Sequence, residues 1–211
     1  MTKLHESINL GKRRSVKNIK ECQYELKDVL PRLFRAFNRA VTLYNKEIVF
    51  TPKISRGRGF EANYLNSKIV QCIQDEFPDD CFWGKYKRFI LRKDGYIVLF
   101  KKLNKMNLPM NVQTKNATAI ENQVQKSLFD DQEDVFEPIV FLGYRKNSFG
   151  EISAPKLVYI DEGLCKFEIT ENDLEKESSV LENIISLDSK PAASMTLKPE
   201  VIRKKKSIGD A

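Results

Sequence analysis

The sequence predicts an α+β protein: N-terminal helices packed on a largely antiparallel sheet of about five strands, followed by a disordered C-terminal tail. Three observations carry that expectation. Residues 30–44 place Leu30, Leu33, Phe34, Phe37, Ala40, Val41 and Tyr44 at helical spacing. Residues 86–93 and 96–103, rich in aromatic and β-branched side chains, flank Asp94-Gly95, a preferred pair for a type I′ turn. A second pair of short strands, 156–161 and 164–170, flanks Glu162-Gly163.

Taken in order, residues 1–17 form a polar, basic leader containing Lys12, Arg13 and Arg14. It is either solvated or an arm that touches nucleic acid. From residue 18 one domain extends to residue 170. Ile19, Cys22 and Leu26 share the face of a first helix, and Pro31 ends or restarts it. In the second helix Arg32, Arg35 and Arg39 line a face opposite the apolar stripe, read as solvated or as a secondary anion contact. TPKISRGRG, residues 51–59, is punctuated by Pro and Gly and reads as a loop. Its Arg56 and Arg58, set among glycines, are candidate phosphate contacts, although no GK[ST] follows to make a Walker loop. A third helix runs from about residue 60 to 77 and is stopped by Pro78-Asp79-Asp80.

The first hairpin fixes a register. With Asp94-Gly95 as the loop, Leu91 faces Val98 and Phe89 faces Phe100, so these four residues make the buried face. The opposite face is mixed and sets Arg88 across from Lys101. Like charges opposed on an antiparallel pair are destabilising by about 0.2–1 kcal/mol unless an anion lies over them. That anion is a phosphate, a carboxylate from another segment, or nothing more than solvent around splayed side chains. The acidic stretch 129–137, FDDQEDVFE, is the internal candidate. Between the hairpin and that stretch lie an extended segment around Pro109, carrying Asn111, and a short helix capped by Thr114 or Asn116 with Ile120, Val124 and Leu128 inward. Residues 138–145 are apolar enough for a central strand. From residue 171 the chain turns acidic, then polar and Pro-containing, and ends near Arg203-Lys204-Lys205-Lys206; residues 171–211 read as a mostly disordered charged tail.

Charge narrows the function. The chain carries a net +7, and residues 82–115 contain nine Lys or Arg against the single acid Asp94. Positive charge is therefore concentrated on one stretch and points to an acidic partner, nucleic acid or protein. Arg56, Arg58, Arg88, Lys101, Lys102 and Asn111 are the candidate anion-facing residues. His5 is the one histidine, which removes Ser-His-Asp and Cys-His catalysis and His-based ribonucleases. The four cysteines form no CxxC, so neither a zinc site nor any other metal or cofactor is expected. Glu25-Leu26-Lys27 is the nearest string to a nuclease ExK, but it lies on a helix rather than a strand. Histidine-free RNA cleavage by Arg, Lys, Tyr and Glu stays chemically open, with Tyr86, Arg88, Tyr96 and Lys101 on offer. No secretory signal or apolar span of membrane length is present, so the expected setting is the cytoplasm, with reduced thiols.

The string YKRFILRKDGYIVLFKKLNKMNLPMNVQT, followed by Gln123 and by PIVFLGY, resembles a family of uncharacterised bacterial and prophage proteins of about this length. Its members carry an Arg-rich segment before a helix, an RF…FKKL…P.N..T core and a later GY strand. Arg56 and Arg58 match the first element; Arg88, Phe89, Phe100, Lys101, Lys102, Leu103, Pro109, Asn111 and Thr114 match the second; Gly143 and Tyr144 match the third. The resemblance covers roughly residues 55–170. It implies a neighbouring helix-turn-helix regulator as partner and a toxin–antitoxin or phage-defence setting, with no reaction attached. The sequence-based expectation is thus a nucleic-acid-associated cytoplasmic protein, the effector of such a module; the alternative is a non-catalytic regulatory or protein-interaction subunit that binds an acidic partner protein.

Overall fold

The computed structural model describes residues 17–124 and 137–174. The basic leader, the charged tail beyond 174 and most of the acidic stretch 129–137 lie outside the described residues. Helices α1 (Ile19–Glu25), α2 (Leu30–Ile48) and α3 (Phe60–Glu76) come first. They are followed by β1 (Cys81–Gly84), β2 (Arg88–Lys93), β3 (Tyr96–Lys102), α4 (Lys115–Glu121), β4 (Ile139–Tyr144), β5 (Lys156–Asp161) and β6 (Leu164–Thr170). The class is α+β, as predicted, with the strands joined in sequence order into one six-stranded sheet. All pairs are antiparallel except β3 with β4. A parallel pair needs a crossover, and the chain between β3 and β4 supplies it together with α4.

The extra strand is β1. Pro78-Asp79-Asp80 ends α3 as expected, but CFWG then turns back to pair Phe82 with Ile90 and Trp83 with Phe89. Both hairpin loops use the positive φ angles their residues tolerate: Asp94 at 47° with Gly95 at 75°, and Glu162 at 53° with Gly163 at 70°. The register follows, with Leu91 opposite Val98 and Lys93 opposite Tyr96.

Both faces of the sheet are covered. Phe89, Leu91, Val98, Phe100, Val140, Leu142, Leu157, Tyr159 and Ile169 pack against the N-terminal helices around Leu33, Phe34, Phe37, Ile69 and Ile73. The opposite face, expected to be mixed, buries Ile90, Ile97, Leu99, Phe141, Val158 and Ile160 beneath Leu103 and Ile120. Burial on both sides explains why β4 reads as a continuous apolar run and why it lies between β3 and β5.

The arginine row of α2 is largely exposed, as its solvated reading has it, and has a structural use besides. Arg32 binds Glu76 at 2.8 Å, Arg35 approaches the same carboxylate at 3.6 Å, and Arg39 binds Asp75 at 3.1 Å. The row therefore clamps α2 to α3. Glu25 is likewise structural, since it accepts the hydroxyl of buried Tyr96 at 2.6 Å and pairs with Lys17 at 2.7 Å. Among the described residues no helix is long and apolar enough to cross a membrane.

One close approach holds the second layer down. The side chain of Leu103 crosses Gly143 so tightly that a Cβ at that position would lie 2.4 Å from Leu103 Cδ1. Tyr144, next along, points to the other face and packs against Phe37 with ring centroids 5.7 Å apart. We predict that Gly143→Ala lowers stability by about 1–3 kcal/mol through overpacking, read as an earlier thermal unfolding transition, while Gly57→Ala, where a Cβ meets open space, leaves it nearly unchanged.

Candidate anion-binding site

The six candidate residues do not converge on one surface. Arg56 donates to the carbonyls of Thr51 (2.9 Å) and Ile48 (2.8 Å) and to Glu61 (2.8 Å). Its guanidinium thus closes the loop after α2 onto the start of α3, where Lys146 shares the Glu61 carboxylate at 2.6 Å. Arg58 is exposed on the same loop. Lys102 alternates away from Lys101 and belongs to the face that meets the helices. Arg88, Lys101 and Asn111, by contrast, line one cleft on the other side of the sheet, together with Leu99, Ala117, Ile120, Glu121 and Phe141.

Each wall of that cleft is placed by a nameable local cause. Arg88 begins β2 immediately after Tyr86 (φ 57°) and Lys87 (φ 53°), two successive non-glycine residues in the left-handed region. Such conformations are uncommon and are found where surrounding structure imposes them. Lys101 comes from β3 on the face shared by Ile97 and Leu99. Asn111 arrives on the segment after β3. That segment folds back through the Leu103–Pro109 bridge and a hydrogen bond from Met110 N–H to the Lys102 carbonyl at 2.8 Å. Its tip is held over the sheet by Arg145, which donates to Asn107 Oδ1 at 2.5 Å and to the Lys105 carbonyl at 2.8 Å. Asn107 in turn donates to Glu168, the partner of Lys156.

Helix α4 forms the remaining wall. Thr114 caps it by accepting Ala117 N–H at 3.1 Å. Gln123 anchors its other end, donating to the carbonyls of Ile139 (3.0 Å) and Ile160 (2.6 Å) while its Oε1 accepts Ile139 N–H (2.7 Å). Between cap and anchor, Ala117, Ile120 and Glu121 face inward and are buried.

Electrostatically the cleft is unfinished. The Arg88 guanidinium leaves Nη1 buried without a hydrogen-bond partner, and Glu121 leaves Oε1 in the same condition. Burial lowers the pKa of Arg88; burial first, and then the Arg88 charge, lowers that of Lys101. The acidic answer foreseen from residues 129–137 goes elsewhere in its described part, since Glu137 pairs with Arg92 at 2.8 Å. The space within the cleft, about 10 Å3, has room for about one water-sized group. A single anionic oxygen fits that space. Among the described residues no group of three or more His, Cys, Asp or Glu gathers as a metal would require. Tyr96, one of the side chains available for histidine-free cleavage, lies on the opposite face, bound to Glu25.

Glu121 is the residue that sequence reasoning missed. Its signal was present, because it lies four residues after Ala117 and directly after Ile120, at the inward spacing of α4. A polar residue at such a position reads as solvent-facing until a second layer is known to cover the sheet.

A scan against protein-family models, a search of curated proteins and a search of solved structures each return no match. The resemblance to bacterial and prophage proteins therefore rests on the residues quoted for it.

Because folding lowers the pKa of Lys101, the unfolded chain holds more protons in the window between that lowered value and the ordinary lysine value, and stability rises with pH there. Below the window the charged ammonium opposes folding in full. We predict that Arg88→Gln raises the pKa of Lys101, followed by its Cε resonance in an NMR titration, yet leaves it below the ordinary value because burial remains. An unchanged pKa would show that the two cations do not act on each other.

Proposed function

We propose that this chain is a cytoplasmic nucleic-acid-associated protein that receives a backbone phosphate in the cleft formed by Arg88, Lys101 and Asn111. One observation carries the reading: two neighbouring, partly buried cations share a concave site, and one of them leaves a buried donor without a partner. Assembling like charges in a low-dielectric setting is unfavourable, and an anion between them reverses the sign of that term. Phosphate suits the cleft chemically, because one of its anionic oxygens, inserted at the mouth, can accept from the guanidinium and the ammonium together. The basic stretch around the cleft supplies the longer-range attraction that a polyanion needs. The setting as effector of a toxin–antitoxin-like or phage-defence module belongs to the same proposal and is supported by the sequence resemblance; growth arrest on expression without a neighbouring regulator tests it.

Binding of a labelled single-stranded oligonucleotide at low salt is expected to weaken by about tenfold or more in Arg88→Ala and in Lys101→Ala. Each substitution should also reduce the salt slope by about one counterion. Lys102→Ala, on the opposite face, serves as the control and should bind as the parent does. Absence of nucleic-acid binding at low salt, with an acidic protein retained on the immobilised chain after nuclease treatment, would replace this reading by that of a protein-interaction subunit.

A further inference from the structure

Tyr86 is held in a conformation that the fold alone does not ask for. It sits in the middle of Lys85-Tyr86-Lys87, the three-residue connection that joins β1 to β2 and leads directly into Arg88. Its φ is 57°, and that of Lys87 is 53°. Among the other described non-glycine residues at positive φ, Asp94 and Glu162 open two-residue turns before glycine, Asn107 is of a type that tolerates the left-handed region, and Gln123 is tied down by three hydrogen bonds. None of these reasons applies to a tyrosine, and glycine at its position would make the same turn without strain. Nor is the ring there for packing: it is 70% exposed and enters neither apolar layer of the sheet. Lys85 Nζ lies over it at 5.8 Å, so a flat π-surface stands among cations just before β2. Strain that no core contact requires points to a binding surface.

Resting on the phosphate reading above, we propose that Tyr86 stacks on an unpaired nucleobase next to the phosphate whose oxygen enters the cleft, so that the site takes single strands. Tyr86 precedes Arg88 by two positions, at most about 7 Å of backbone. A base hangs one sugar away from its phosphate. One nucleotide therefore spans from the guanidinium to the ring, with everything but that one oxygen outside the cleft. Stacking needs only a π-face, which every base has, whereas in a duplex both faces of a base are already covered by its neighbours. The ammonium groups of Lys85 and Lys87, on either side of the ring in the chain, add attraction for the strand without reading its sequence.

The test uses the full chain and two labelled single strands of equal length and charge, one an ordinary DNA oligonucleotide and the other an abasic strand with the same sugar–phosphate backbone, compared by fluorescence anisotropy at low salt. The intact strand is expected to bind about tenfold more tightly, the scale of one base–aromatic stack. On its addition the Tyr86 ring protons should move upfield in the NMR spectrum, and the abasic strand should leave them in place. Tyr86→Gly, which keeps the turn and removes the ring, should abolish the difference between the strands, and Tyr86→Phe should retain it. Equal binding of the two strands, weakened alike by Arg88→Ala, would overturn the role of Tyr86 and leave the phosphate site standing. A difference that persists with the Tyr86 ring protons unmoved would also overturn it, by placing the stack elsewhere. Failure of both strands to bind would remove the phosphate reading as well. The strand comparison and the ring resonances need no substituted protein, so they decide the matter even if Tyr86→Gly does not fold.

Discussion

The constraint on which the rest of the molecule depends is the two-residue turn at Asp94-Gly95. Its positive φ angles select one register for β2 and β3, and a slip of one residue would exchange the two faces of the hairpin. In the register adopted, Phe89, Leu91, Val98 and Phe100 meet the helical layer. Ile90, Ile97 and Leu99 meet α4 and the crossover segment. Arg88 and Lys101 sit at the far end of this second face, where apolar cover gives way to a cleft. The same geometry that fills the core thus leaves two cations side by side at its margin.

What keeps that arrangement from relaxing is the covering layer. Leu103 crosses Gly143 without space for a methyl group, Gln123 ties the end of α4 to β4 and β5, and Arg145 pins the segment that carries Asn111. These contacts differ in kind but have a common result: the side chains around the cleft come from elements whose backbones are fixed by the core. Exposed lysines and arginines swing away from one another at little cost, whereas partly buried ones cannot. Lowered pKa values at Arg88 and Lys101 are the signature of that confinement.

Much of the fold was legible because its signals are local. Two Asx/Glu-Gly turns, the stripe of α2, Thr114 as a cap and the apolar run of β4 each act over a few residues, and each is realised. The four-residue β1 was missed because so short a strand has no periodicity of its own and is recruited by pairing with β2. The site was legible only in part. The register alone brought Arg88 and Lys101 to one face, but whether a charge is clamped, exposed or confined depends on residues distant in sequence. Arg56 looked like a phosphate ligand and is a loop clasp bound to Ile48, Thr51 and Glu61; the Arg32–Arg39 row looked solvated and is, but it also joins two helices. Glu121 became meaningful only once a second layer was seen to bury it.

On the proposal above, the cleft rather than the basic surface at large receives the anion. Residue-resolved NMR of the lysine side chains during addition of a short oligonucleotide addresses it most directly. The Lys101 Cε resonance is expected to move first and its pKa to rise on binding, as a phosphate oxygen offsets the charge of Arg88. Shifts spread over Lys85, Lys87, Lys102 and Lys105, with Lys101 unmoved and its pKa still lowered, would contradict it.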